Sequence, residues 1–226
     1  MVDTIALSLP AVDVLAEQLN LDIRQYPFEL PRAREHGRAP DQVLGELEAA
    51  GLAADGRPEP EVADALYLLC GSEVSVAAAG LLDVRAGQRL AARVVATGEV
   101  GVVGVLDGRG LRMDFLDPQD VPAVCADLLP PAAAGAGEPL RAEDADAPAA
   151  RELAEITGRP KSRLGHFLVS GAGRRGRAGQ PGLTWFDNDL GRFTLLGETA
   201  PDGRESLTCA PADRAALVER LAALLR

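Results

Sequence analysis

Near residue 72 the apolar residues change their spacing. Upstream they recur every three or four positions: Val14, Leu15 and Leu19, then Val43, Leu44 and Leu47, then Val62, Leu66 and Leu69. That is the period of helices lying on a core. Downstream they alternate, in Val74-Val76-Ala78-Gly80-Leu82 and in Leu90-Ala92-Val94-Ala96. Alternation belongs to strands with one face buried. Val100–Val105 supplies a third strand, and Leu111, Met113 and Phe115 line one face of a fourth. The turns between them, Arg85-Ala86-Gly87 and Asp107-Gly108-Arg109-Gly110, hold glycines that can take positive φ. Helices followed by a four-stranded antiparallel meander specify an α+β fold.

The meander ends at Asp117-Pro118-Gln119-Asp120, where Asp117 caps a helix and Pro118 occupies its first turn. The same scheme then recurs. A helix over 149–156 precedes strands at 166–170, 182–186, 192–196 and 206–209, and a last helix begins at Pro211. Pro118-x-Asp120 matches Pro211-x-Asp213, Val124 matches Leu217 and Leu128 matches Leu221, all at an offset of 93 residues. The expectation is a central antiparallel sheet built from two pseudo-repeated halves, 1–129 and 149–226, each a meander closed by a helix. Residues 130–148, rich in Pro, Ala and Gly, read as a linker or long loop. A short strand over residues 4–9 and a helix opened by Pro10 start the chain, and Tyr26 and Phe28 are expected to anchor the coil that follows.

Composition excludes several kinds of work. Asp and Glu number 34 against 23 Lys and Arg, for a formal charge of -11, which repels nucleic acid and anionic lipid. No apolar run approaches the ~20 residues of a membrane span, and the opening residues read as an interior strand and not as a signal peptide. Three cysteines, Cys70, Cys125 and Cys209, sit in apolar contexts with no CxxC pair. Free, buried thiols in a reducing, cytoplasmic setting fit this usage.

Chemistry is sparse. His36 and His166 are the two histidines, and neither lies in an HxH or HExxH pattern, so no metal is expected. Ser170 lacks the preceding glycine of a nucleophile elbow. Gly171-Ala172-Gly173-Arg174-Arg175-Gly176 satisfies GxGxxG, but the following Arg177-Ala178-Gly179-Gln180-Pro181-Gly182 cannot open the helix whose N–H groups would meet a phosphate. A hairpin loop is the better reading, with Arg174 and Arg175 as a basic patch able to meet an acidic partner. No cofactor is expected. Asp187-Asn188-Asp189-Leu190-Gly191-Arg192-Phe193 reads as a hairpin turn, with Gly191 left-handed and Arg192 paired to Asp187 or Asp189. Trp185 and Phe193 flank that turn. In the last helix Leu217, Val218, Leu221, Leu224 and Leu225 form an apolar stripe, while Asp213, Arg214, Glu219 and Arg220 face water. A stripe this wide leaves Leu217, Leu221 and Leu224 as candidate contacts for a partner helix.

The residues Ile5-Ala-Leu-Ser-Leu-Pro-Ala-Val-Asp-Val-Leu, the meander ending in Asp117-Pro118, Trp185-Phe-Asp-Asn-Asp-Leu-Gly-Arg-Phe193 and Thr208-Cys-Ala-Pro-Ala-Asp213 together resemble the EspG family of ESX (type VII) secretion-associated proteins of actinobacteria. The resemblance spans essentially the whole chain and implies a single domain with a central antiparallel sheet, two-fold pseudo-symmetry and flanking helical bundles. It implies a cytosolic chaperone, not an enzyme, whose partner is a PPE-like protein in a PE–PPE-type heterodimer. Asn188 and Phe193 stand where Thr and Tyr are more usual in the family. Trp185, Asp187, Asp189, Gly191, Arg192 and Phe193 are taken as its structural signature. Two other readings stay open: an enzyme or small-molecule binder using a pocket between the halves, and a homodimer.

Overall fold

The computed structural model describes residues 4–30, 38–72, 74–143, 148–170, 182–199 and 203–226. They divide into two compact units, one of Met1–Ala77 with Ala91–Val121 and one of Ala78–Leu90 with Pro122–Arg226. This division is not the one the linker reading suggests, because the tip of the first hairpin belongs with the second unit.

In the first unit, β1 (Ile5–Ser8) leads into α1 (Leu9–Gln18), with the Ser8 hydroxyl accepting from the Ala11 N–H at 3.3 Å as the cap. Then come α2 (Pro40–Ala49), the two-residue strands β2 (Ala53–Ala54) and β3 (Arg57–Pro58), and α3 (Pro60–Gly71). The meander is β4 (Val74–Asp83), β5 (Gln88–Ala96), β6 (Gly101–Leu106) and β7 (Gly110–Leu116). The strand order here is β1-β7-β6-β5-β4, so the first strand of the chain pairs with the last of the meander, Ile5 opposite Met113 and Leu7 opposite Leu111. Ile5, Leu7, Val95, Val102, Leu111 and Met113 share a core with Val12 and Leu15 of α1, Val43 and Leu47 of α2, and Val62, Leu66 and Leu69 of α3. Gly104 permits this closeness, since a Cβ there would lie 2.9 Å from a Leu69 methyl. Phe28 is buried as expected, but Tyr26 is half exposed: the coil is held through backbone, with Arg93 Nη1 donating to the Tyr26 carbonyl at 2.8 Å.

In the second unit, the end of β4 is followed in strand order by β9 (Arg163–Ser170), β10 (Gly182–Asn188), β11 (Gly191–Thr199), β12 (Glu205–Pro211) and β8 (Leu140–Ala142). The helices are α4 (Val121–Asp127, preceded by a 3-10 turn over Pro118–Asp120), α5 (Pro148–Gly158) and α6 (Arg214–Leu225). The meander-plus-helix plan thus occurs twice, with Asp117 accepting from the Gln119 N–H at 3.0 Å and Asp213 from the Ala216 N–H at 2.9 Å. All the described strand pairings are antiparallel. Residues 130–143 are not a bare linker. β8 pairs with β12, and the Ala133–Ala136 stretch runs along β11, the Arg192 N–H donating to Ala133 O at 2.9 Å and the Gly135 N–H to Arg192 O at 2.8 Å. Small side chains make this docking possible, which is why an Ala/Gly-rich segment with no apolar period still has a fixed place.

Candidate partner-binding surfaces

The hairpin of β10 and β11 organises the second unit. Asn188 stands opposite Gly191, whose φ of 115° suits glycine, and the Leu190 N–H donates to Asn188 Oδ1 at 2.9 Å. Arg192 pairs with Asp187 through two bonds, Nε to Oδ1 at 2.7 Å and Nη2 to Oδ2 at 2.9 Å, with both residues buried. Arg163 adds a third donor to Asp187 at 3.2 Å, and Arg192 Nη2 also reaches Pro130 O at 2.8 Å. Of the two partners open to Arg192, Asp187 is the one used; Asp189 pairs at the surface with Arg159. A buried ion pair of this kind is stable only with its remaining polar atoms satisfied, as here. Asn188 also donates to Ile156 O at 3.1 Å, fixing the C-terminal end of α5.

The hairpin's aromatic residues explain nearby glycines. Trp185 stands opposite Gly165, where a Cβ would come 2.7 Å from its ring, and the Arg192 guanidinium lies 5.7 Å from that ring's centre. Phe193 stacks on Phe186 at 5.6 Å between centroids, and a Cβ on Gly135 would fall 2.2 Å from the Phe193 ring. All the signature residues except the exposed Asp189 are therefore engaged in holding the unit together.

The two faces of this part of the sheet are covered unequally. On the face of Trp185 and Thr194, α6 is tied down by Arg220, which donates to the Thr194 hydroxyl and, at 2.9 Å, to Pro211 O. Arg220 thus lies against the sheet instead of facing water, and burial lowers its pKa. Leu217 and Leu221 are fully buried. They are core residues and cannot serve as partner contacts, because nothing can reach a side chain with no exposed surface. Leu224 is half-buried. Arg174 and Arg175, with the whole GxGxxG string, lie outside the described residues, as does His36.

On the opposite face α5 buries only Leu153, which packs with Phe186, Phe193 and Cys209. The register places Leu164, His166 and Leu168 of β9, Thr184 of β10, Leu195 of β11 and Leu207 of β12 on this same face. Leu164 and Thr184 are exposed and the others half-buried. Next to α5 this face opens into a groove of about 700 Å³ lined by Ala142, Ala150, Leu153, Gly197 and Leu207, with Glu143, Glu198 and Glu205. Partial burial lowers the His166 pKa below its ordinary value.

The first unit carries a second opening of about 490 Å³, lined by α3 (Asp64, Tyr67, Leu68 and Gly71), Ser72, the β5–β6 turn (Thr97 and Val100) and Phe115 of β7. The sequence reading missed it. Its signal was the aromatic Tyr67 on the side of α3 away from the apolar stripe.

Burial raises the Cys70 and Cys209 thiols to about 11 and pushes Cys125 up as well, so thiolates are scarce at neutral pH. No cluster of three or more His, Cys, Asp or Glu suited to a metal occurs among the described residues. No helix among them is long and apolar enough to cross a membrane.

The EspG family model matches residues 8–223. The chain belongs to the EspG family. Among solved structures, this EspG-family protein is similar to the type VII secretion system chaperone EspG5 of Mycobacterium tuberculosis, which was determined in complex with the PE25–PPE41 dimer. The two share 13% identity with a TM-score of 0.70 over 99% of this chain and 97% of that one. At such low identity the likeness speaks for the fold. A comparison with curated proteins finds no match.

Proposed function

We propose that this EspG-family protein is a cytosolic specificity chaperone for type VII (ESX) secretion. Its client is a PPE-like protein in a PE–PPE-type heterodimer, which it keeps soluble until export. The carrying observation is the sheet face on which α5 buries only Leu153 among the described residues: Leu195 and Leu207 pack at the margin of its core, and Leu164 and Leu168 stand outside it. A shaped apolar surface on a body with a formal charge of -11 suits a protein that must shield another's apolar end while staying dissolved itself. Membership of the family and the likeness to a chaperone solved with its PE–PPE pair support the same reading. Holding a client requires no reacting group.

Co-expression with a PE–PPE-type pair is expected to give a stable complex of one chaperone and one heterodimer on size-exclusion chromatography with light scattering. Separate elution of the two, or aggregation of the client despite co-expression, rejects the proposal. Leu168→Asp should weaken the complex about tenfold or more by placing a charge on the contact face.

A further inference from the structure

The groove of the first unit has a composition of its own. Tyr67 is 49% exposed and Phe115 39%, and neither side chain makes a hydrogen bond or ring contact with any other described residue. Two of the three hydroxyls that line it are engaged with the backbone: Ser72 Oγ donates to Leu68 O at 2.5 Å and Thr97 Oγ1 to Val100 O at 3.2 Å. The free polar groups of its lining are thus the Tyr67 phenol and the Asp64 carboxylate, set beside the apolar Leu68, Val100 and Phe115. Its one charged lining group is Asp64, with Glu61 one turn earlier on the same exposed stripe of α3. Neither carboxylate has an ion-pair partner among the described residues.

We infer that this groove is a second contact for the chaperone's client. It receives a helical segment whose two or three apolar side chains are flanked by Lys or Arg. Tyr67 and Phe115 grip the apolar residues, and Asp64 with Glu61 faces the cation. An opening of about 490 Å³ takes the tip of such a segment and not its whole length. The occupant's chemistry follows from charge complementarity: an apolar floor with unpaired carboxylates at its edge repels an acidic segment and gains from a basic one. The inference rests on the chaperone reading above and adds the recognition of basic flanking charge.

The test measures binding of the full chain to the PE–PPE-type pair that co-expression identifies as its client, by calorimetry at low and high salt. Tyr67→Ala with Phe115→Ala should raise Kd at least about 30-fold, the scale of an aromatic hot spot. Asp64→Lys should raise it about five- to tenfold at low salt, mainly through slower association, with the gap closing as salt screens the charges. Asp64 is exposed, so this variant keeps its fold even if the double alanine variant melts early. If the wild type binds and both variants bind within about twofold of it, the groove is no contact and the inference fails while the chaperone reading stands. If the wild type does not bind, both fail. A wild-type homodimer that Asp64→Lys dissociates would assign the groove to a second copy of this chain and also overturn the inference.

Discussion

Helices α3 and α5 are of nearly equal length, and each lies on a sheet face of its own unit, yet they close those faces to very different degrees. α3 buries Val62, Ala65, Leu66 and Leu69 and completes a core shared with α1 and α2. α5 buries Leu153 alone and is held by polar bonds at its C-terminal end, from Asn188 to Ile156 O at 3.1 Å and from Lys161 to Thr157 O at 2.5 Å. A broad apolar stripe seals a sheet; a narrow one leaves part of it to something else. The unit with the looser helix compensates with a buried ion pair and a hairpin locked by aromatic packing. The first unit has no ion pair as deeply buried as Asp187–Arg192 among its described residues.

That contrast can be tested by mutation. Arg192→Ala removes both bonds to Asp187 and leaves a buried carboxylate short of donors. It should cost about 3–5 kcal/mol in urea unfolding, the largest single effect expected here. The neutralising double change Arg192→Met with Asp187→Leu should recover most of it; no recovery would place the loss elsewhere in the hairpin.

Next in size is a matched pair of truncations. Leu66→Ala in α3 should cost about 2–5 kcal/mol, as a fully buried leucine does. Leu153→Ala in α5 should cost less than half as much, since that side chain sits at the margin of burial. Equal losses would mean that α5 closes its face as fully as α3 does. The smallest effect concerns pH. His166 has a pKa below its ordinary 6.5 through burial, so the folded state binds protons less readily than the unfolded one. Stability from this group is present above pH 6.5 and falls as acid takes the pH below it. Denaturation midpoints measured at pH 7.5 and 5.5 should differ slightly more for wild type than for His166→Gln.

Much of this was legible without coordinates. The two meanders, the existence of α1, α2 and α3 and the turn after Asp187 follow from local spacing and from Gly, Pro and Asp chemistry. An ion pair of Arg192 within the turn was legible, with Asp187 and Asp189 both open to it; strand register decides for Asp187, which stands opposite Arg192. Less visible were β8 and the 133–136 strap, because Ala and Gly carry no period and dock wherever a partner backbone has free groups. The candidate surfaces were hardest. Leu217 and Leu221 look like any exposed stripe until α6 is seen lying on the sheet, and Tyr26 looks like an anchor until the Arg93 bond to its carbonyl takes that role.

The residues alone determined the element types, the doubled plan and the hairpin, because these depend on periodicity, turn chemistry and partners a few positions away. Only the tertiary structure decided that β1 pairs with β7, that α6 spends Leu217 and Leu221 on its own core, and that α5 buries a single leucine among the described residues. Those outcomes turn on which side chains arrive from distant parts of the chain to cover a surface, and local spacing does not encode that.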